Sequence, residues 1–276
     1  LVSTIGFGDD TSKARDLLGQ VYEYFLGQFA SAEGKKGGQF YTPASIVKTL
    51  VAVLNPHHGK VYDPCCGSGG MFVQSEKFIE AHGGKLGDVS IYGQESNPTT
   101  WRLAAMNLAI RGIDFNLGKE PADTFIRNQH SDLRADFVLA NPPFSEKVWG
   151  HDVWQNGDPF GRDTYGCPPK GYGDLAFVQH MLASLKDDGM LAVVVPHGVL
   201  FRGGAEGRIR EAMLAADVIE AVVGLAPNLF YGAGIPAALL VCRKSKPAGR
   251  RGKVLIVNGD ATYQPGKAQN FLTDDH

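Results

Sequence analysis

At 276 residues the chain is long enough for one large domain or two small ones, with a sizeable buried core. Its 43% hydrophobic and 20% charged residues exclude a disordered polyelectrolyte, and 27 Lys plus Arg against 29 Asp plus Glu exclude a strongly basic stand-alone nucleic-acid binder. No apolar run nears the ~18 residues of a membrane span and no secretory signal opens at Leu1, whose not being Met is what numbering begun inside a longer protein would give.

In chain order, Asp9, Asp10, Thr11 and Ser12 offer N-caps to a helix-period run of Leu17, Leu18, Val21, Tyr22, Phe25, Leu26 and Phe29. The run stops in the polar 31–38 stretch. Thr42-Pro43 reads as an N-cap with proline at the first helical position, opening a helix through Ile46, Leu50 and Leu54 that Asn55-Pro56 ends. From there strands and helices alternate. A strand over 60–63 enters a glycine-rich turn and a helix through Phe72 and Ile79 that closes at Gly83-Gly84. A strand over 90–94 precedes a helix opened by Asn97-Pro98 and stopped by Gly112, with Trp101 and Met106 expected in the core. A weak strand over 115–117 and a firm one over 136–140 follow. After an aperiodic stretch, 145–173, come a helix over 174–185, an unbroken apolar strand over 190–196, a helix over 208–214, and strands over 218–223 and 237–243. Such alternation predicts an α/β, doubly wound parallel sheet with helices on both faces. A loop as long as 145–173, with several Gly, Pro and aromatic residues among charges, is expected to be functional or disordered.

Three constellations carry chemistry. Asp63-Pro64-Cys65-Cys66-Gly67-Ser68-Gly69-Gly70 follows the first strand and opens a helix, so backbone and free N–H groups can approach a ligand closely. No Lys-Ser/Thr follows the glycines, which argues against a P-loop and for a ligand with an amine or ribose but no phosphate. Glu95, just past the second strand, stands where a carboxylate accepts hydrogen bonds from ribose hydroxyls. Asn141-Pro142-Pro143-Phe144 follows the fourth predicted strand. Two prolines fix the backbone, so the Asn141 side chain and the Pro142 carbonyl present two acceptors at the sheet edge, with Phe144 as a flat face for a planar base. Two acceptors suit an aromatic –NH2, whose lone pair localises for attack when both hydrogens are held.

Together these residues resemble the amino-group branch of S-adenosylmethionine-dependent DNA methyltransferases and, more narrowly, the modification subunit of type I restriction-modification systems. Gly38-Gln39-Phe40-Tyr41-Thr42-Pro43 is similar to the family's motif closing over the methionine part of the cofactor. The resemblance assigns S-adenosylmethionine to Gln39, Tyr41, Thr42, Asp63, Cys65, Gly67, Ser68, Gly69, Gly70, Glu95, Asp123 and Thr124, with Asp123 on the adenine, and catalysis to Asn141, Pro142, Pro143 and Phe144. It implies a class I methyltransferase (Rossmann-like) fold: a mostly parallel seven-stranded sheet, helices on both faces and one antiparallel strand near 237–243. It divides the chain into a helical lead-in (1–44), a catalytic domain (45–245) and a C-terminal extension with one strand (246–276). The implied function is methylation of adenine N6 in DNA by a cytoplasmic complex of this chain with a sequence-specificity subunit and a restriction subunit. An RNA or protein-glutamine methyltransferase, or a non-catalytic cofactor-binding scaffold, would share part of the pattern. Sequence choice is expected to lie in another subunit, and the 145–173 loop to order on DNA.

Other features read more plainly. Cys65, Cys66, Cys167 and Cys242 have neither disulfide nor zinc spacing, as reduced thiols in the cytoplasm would. His57-His58 makes no ligand pair with them, so no metal is expected. The basic run Lys244, Lys246, Arg250, Arg251 and Lys253 reads as a solvated loop.

Overall fold

A computed structural model describes residues 17–19, 21–22, 24–25, 42–230, 236–267, 269–273 and 275–276. The expected caps at 9–12, and Gln39 and Tyr41, lie outside them. Residues 17–19, 21–22 and 24–25 are helical, with the Tyr22 hydroxyl donating to the Leu103 carbonyl at 2.8 Å. The ordered elements are α1 (Ala44–Leu54), β1 (Gly59–Asp63), α2 (Gly70–Ala81), β2 (Val89–Gly93), α3 (Pro98–Arg111), β3 (Phe115–Asn116), β4 (Ala135–Ala140), α4 (His151–Gln155), α5 (Asp174–Ser184), β5 (Leu185–Pro196), α6 (Gly198–Phe201), α7 (Gly204–Ala215), β6 (Ile219–Gly224), β7 (Ala237–Arg243) and β8 (Leu255–Asn258).

The strands form one sheet in the order β3-β2-β1-β4-β5-β7-β6-β8. All pairings are parallel except those of β7, which runs antiparallel to β5 and β6. The sheet has eight strands where seven were expected, because β8 in the 246–276 stretch adds beside β6. Alternation along the strands splits the core between the faces. Val61, Leu139, Val194 and Val241 join Ile46, Leu50, Phe72 and Leu108 on one face. Tyr62, Val138, Val193 and Leu240 join Leu175, Met181, Ile209 and Met213 on the other.

Local chemistry sets the ends. The Asn97 side chain accepts the Thr99 and Thr100 amides at 2.9 and 3.1 Å to open α3, and Gly112, at φ 67°, closes it. Three expectations need correction. Pro43 holds the N-cap position of α1 and no side chain caps that helix, because the Thr42 hydroxyl is engaged elsewhere. Met106 is 52% exposed; α3 instead buries Thr100, Ala104, Asn107 and Leu108, smaller or polar residues that bring it close beneath the glycine turn. The basic run is not simply solvated: Lys246 is buried against Asp217 at 2.7 Å and Arg250 pairs with Glu220 at 2.5 Å.

The 145–173 stretch is not structureless either. It contains α4 and buries Trp149 and Trp154 with Phe125, Ala176 and Phe177. Within it Arg162, 1% exposed, bonds Asp158 from Nη2 at 2.6 Å and from Nε at 2.9 Å. Aperiodicity hides such packing, because its partners lie far off in sequence.

Candidate active site

The carboxyl ends of β1, β2 and β4 surround a cavity of about 310 Å³ lined by Pro64, Cys65, Glu95, Ser96, Asn97, Ala122, Asp123, Thr124, Phe125, Asn141, Pro143, Glu146, Val148 and Phe177. The strand order reverses between β1 and β4, where an open α/β sheet forms its crevice. Six residues expected at the site (Cys65, Glu95, Asp123, Thr124, Asn141 and Pro143) meet here. Asp63, Gly67, Ser68, Gly69, Gly70, Pro142, Phe144 and Thr42 stand outside that lining.

The glycine turn is built for close approach. Gly67 and Gly69 have φ of 53° and 79°, conformations that L side chains disfavour, and the Ser68 carbonyl accepts the buried Asn107 amide at 2.8 Å. Glu95 is 8% exposed and spans the crevice: Oε2 accepts the Gly67 N–H at 3.1 Å and Oε1 the Asn97 N–H at 2.8 Å. Oε1 also accepts the Ser96 hydroxyl at 3.5 Å; carboxylate oxygens carry two acceptor sites each, so Oε2 can still take a further hydroxyl. Burial raises its pKa, with those amide bonds opposing.

Asp63 lies beneath, 1% exposed, accepting the Cys65 N–H at 2.9 Å. Burial first, and then the neighbouring Glu95 charge, push its pKa up from 3.8 to about 7 against that amide bond. A folded-state pKa above the ordinary value means that the folded chain holds an extra proton between about pH 4 and 7 and loses stability as pH rises through that window. Asp63→Asn is therefore expected to raise the melting temperature at pH 8, by at most a stability gain on the order of 4 kcal/mol, and to leave it nearly unchanged at pH 4. Calorimetry at both pH values checks this, and equal melting at pH 8 would refute it.

The far wall hangs on a residue that sequence reading left without a role of its own. Gln94 is fully buried; its amide donates to the Ala122 and Arg127 carbonyls at 3.0 and 2.9 Å and accepts the Gln129 N–H at 3.0 Å. Asp123 Oδ1 caps the following turn, accepting the Phe125 and Ile126 amides at 2.7 and 3.2 Å. The Thr124 hydroxyl donates to the Pro64 carbonyl at 2.6 Å, which staples the two walls together. Arg162 backs this turn, donating to the Thr124 and Phe125 carbonyls at 2.8 and 2.9 Å. It also stands 3.2 Å from His180 Nδ1, whose Nε2 lies 3.0 Å from the Tyr62 hydroxyl. Burial, then the Arg162 charge, drive the His180 pKa down to about 3, so the ring is neutral. The only sequence signal for this network was Asp158 and Arg162 four apart.

Asn141 closes the site. Its Nδ2 donates to Thr42 Oγ1 at 3.0 Å, which fixes the amide's orientation. Its Oδ1 is buried and has no hydrogen-bond partner among the described residues. An orphaned buried carbonyl is costly and calls for a donor from a ligand. Phe144 is half-buried and packs edge-on against Phe230, ring centres 5.8 Å apart, so part of its ring is committed to the core. Cavity size and donor set fit a nucleoside-sized ligand: carboxylates at Glu95 and Asp123, apolar walls at Phe125 and Phe177, and the open acceptor at Asn141.

The N-6 DNA Methylase family model matches residues 13–276. The type I restriction enzyme HindI methylase subunit of Haemophilus influenzae is 49% identical over 265 residues, covering 95% of this chain and 59% of its own length. The crystal structure of the type I restriction-modification system methyltransferase subunit from Streptococcus thermophilus superposes with a TM-score of 0.87 at 32% identity, over 100% of this chain and 58% of that one. A Listeria monocytogenes protein assigned to the class I S-adenosylmethionine-dependent methyltransferases shares the fold, with a TM-score of 0.70 at 16% identity over 93% of this chain and 76% of that one. The chain thus has the class I methyltransferase fold and spans about half the length of the curated relatives it matches.

Proposed function

Because the chain belongs to the N-6 DNA methylase family, we propose that it is the catalytic core of a type I modification subunit and transfers a methyl group from S-adenosylmethionine to adenine N6 in DNA. The observation that carries this reading is the buried Asn141 Oδ1, unpartnered among the described residues, on a residue that lines the cavity and whose Nδ2 is tied to Thr42. Glu95 would hold the ribose hydroxyls of the cofactor and Asp123 its adenine, with Cys65, Phe125 and Phe177 as walls and the Gly67–Gly70 turn beside them. Bound there, the cofactor supplies an electrophilic methyl carbon.

The chain's own part is placement. Asn141 Oδ1 and the Pro142 carbonyl oxygen would each accept a hydrogen bond from the target amine, turning its lone pair out of conjugation with the ring, and the one proton that the methylated nitrogen sheds would pass to water. The exposed part of the Phe144 ring would stack on the base, offsetting part of the few kcal/mol needed to extrude it from the duplex. Alignment of this kind supplies about 7–11 kcal/mol of a barrier without a strong general base. DNA, a specificity subunit and a restriction subunit would be its partners, and the cytoplasm its location. Among the described residues no helix is long and apolar enough to cross a membrane.

The test is direct. The full-length protein with its neighbouring specificity subunit, given isotope-labelled S-adenosylmethionine and unmodified DNA, should yield N6-methyladenine on nucleoside digestion. Label found only in RNA, in protein glutamine or in cytosine would replace this reading with another acceptor.

A further inference from the structure

The tetrapeptide leaves β4 with two prolines, which donate no hydrogen bonds, so its position depends on what holds the chain just beyond it. There Ser145 has φ 54°, a left-handed conformation that a non-glycine residue adopts at a cost. Its N–H donates to Asp174 Oδ1 at 2.8 Å, and the Gly173 N–H donates to the Glu146 carbonyl at 2.9 Å. Asp174 is 3% exposed, the first residue of α5, and does not line the cavity. Its Oδ2 meets Arg202 Nη1 at 3.3 Å, and that same nitrogen meets Glu206 Oε1 at 3.1 Å. The Arg202 guanidinium lies 4.0 Å over the Tyr172 ring, and its carbonyl accepts Arg210 Nη2 at 2.6 Å.

We propose that Asp174 is a positioning residue for methyl transfer: by holding Ser145 in its left-handed turn it sets where Asn141 and Phe144 stand, and Arg202 and Glu206 hold Asp174 in turn. The assignment rests on the N6-adenine reading and extends it to a residue that touches neither cofactor nor base. An acidic residue in the first turn of a helix also favours the helix by its charge alone. The two roles separate by what repairs the loss.

The experiment uses the full-length chain assembled with its specificity subunit, and measures kcat for DNA methylation, S-adenosylmethionine affinity by calorimetry, and melting temperature. Asp174→Ala should lower kcat on the order of 10–100-fold, the scale of a small misplacement, with cofactor affinity unchanged. Asp174→Asn keeps an oxygen for the Ser145 amide and should stay near wild type. Adding Ser145→Gly to Asp174→Ala should recover much of the lost kcat, since glycine takes the positive φ freely, without restoring the melting temperature. Ser145→Pro removes the N–H and the positive φ while leaving Asp174 in place, and should also lose kcat; it serves if Asp174→Ala does not fold. Wild-type kcat in Asp174→Ala or in Ser145→Pro, or no recovery in the double variant, would overturn the assignment. Failure of the wild-type complex to methylate adenine would overturn the underlying reading instead.

Discussion

Asn141→Ala is expected to abolish methyl transfer, lowering kcat by at least about 10²–10³-fold, while S-adenosylmethionine binds as before. That magnitude is what removal of one oriented polar group costs where charge redistributes in a transition state. Binding should survive because Glu95, Asp123 and the glycine turn are held by bonds of their own, none of which involves Asn141. The alanine removes a carbonyl that is buried without a partner but also the bond from Nδ2 to Thr42, two opposing changes that should leave the stability of the folded chain within about 1 kcal/mol of wild type. Calorimetric titration of the cofactor and methyl incorporation into DNA, on the same preparation, separate the two. Activity within tenfold of wild type would mean that the amine is held elsewhere.

The second large effect falls on stability. Arg162→Met leaves Asp158 buried without its cation and strips a donor from the Thr124 and Phe125 carbonyls at once. Burial alone would push the Asp158 carboxyl up; bonds and charge from Arg162 outweigh it and hold it below the ordinary range. Breaking such a buried pair on one side costs about 3–5 kcal/mol, which for a chain of this size should lower the melting temperature by roughly 5–15 °C. Cofactor affinity should fall with it, because the 123–126 turn loses its backing. A melting temperature within about 2 °C of wild type, read by scanning calorimetry, would show that the pair is dispensable.

What the sequence discloses and what it hides follow from range. The strands near 190–196 and 237–243 are legible because they are apolar and continuous, and α3 because Asn97, Pro98 and Gly112 mark its ends within a few residues. The start of β5 is hidden: Lys186, Asp187, Asp188 and Gly189 read as a turn, yet Leu185 pairs with Ala135 across a bulge and Lys186 meets Asp136 at 2.5 Å. Proximity of the Asp63 turn, Glu95 and Asn141 is legible from their places after three strands of one parallel sheet. The bond from Asn141 to Thr42 spans 99 residues and leaves no local mark. Gln94 and Arg162 are hidden for the same reason, since a lone buried amide or guanidinium shows itself only through carbonyls that the fold delivers from elsewhere.

The reversal of strand order between β1 and β4 divides the crevice between two inheritances. Pro64 to Asn97 and the 122–125 turn, all before β4, form most of the side proposed to take the methyl donor, while Asn141, Pro143 and Glu146 come from the end of β4 and the chain just beyond it. On the proposed reading, substitution at the lining residues just after β4 would alter which amine is admitted without disturbing the Glu95 tethers or the Gln94 scaffold. A lineage built on such a crevice would then be free to diversify in what it marks while keeping its fuel constant.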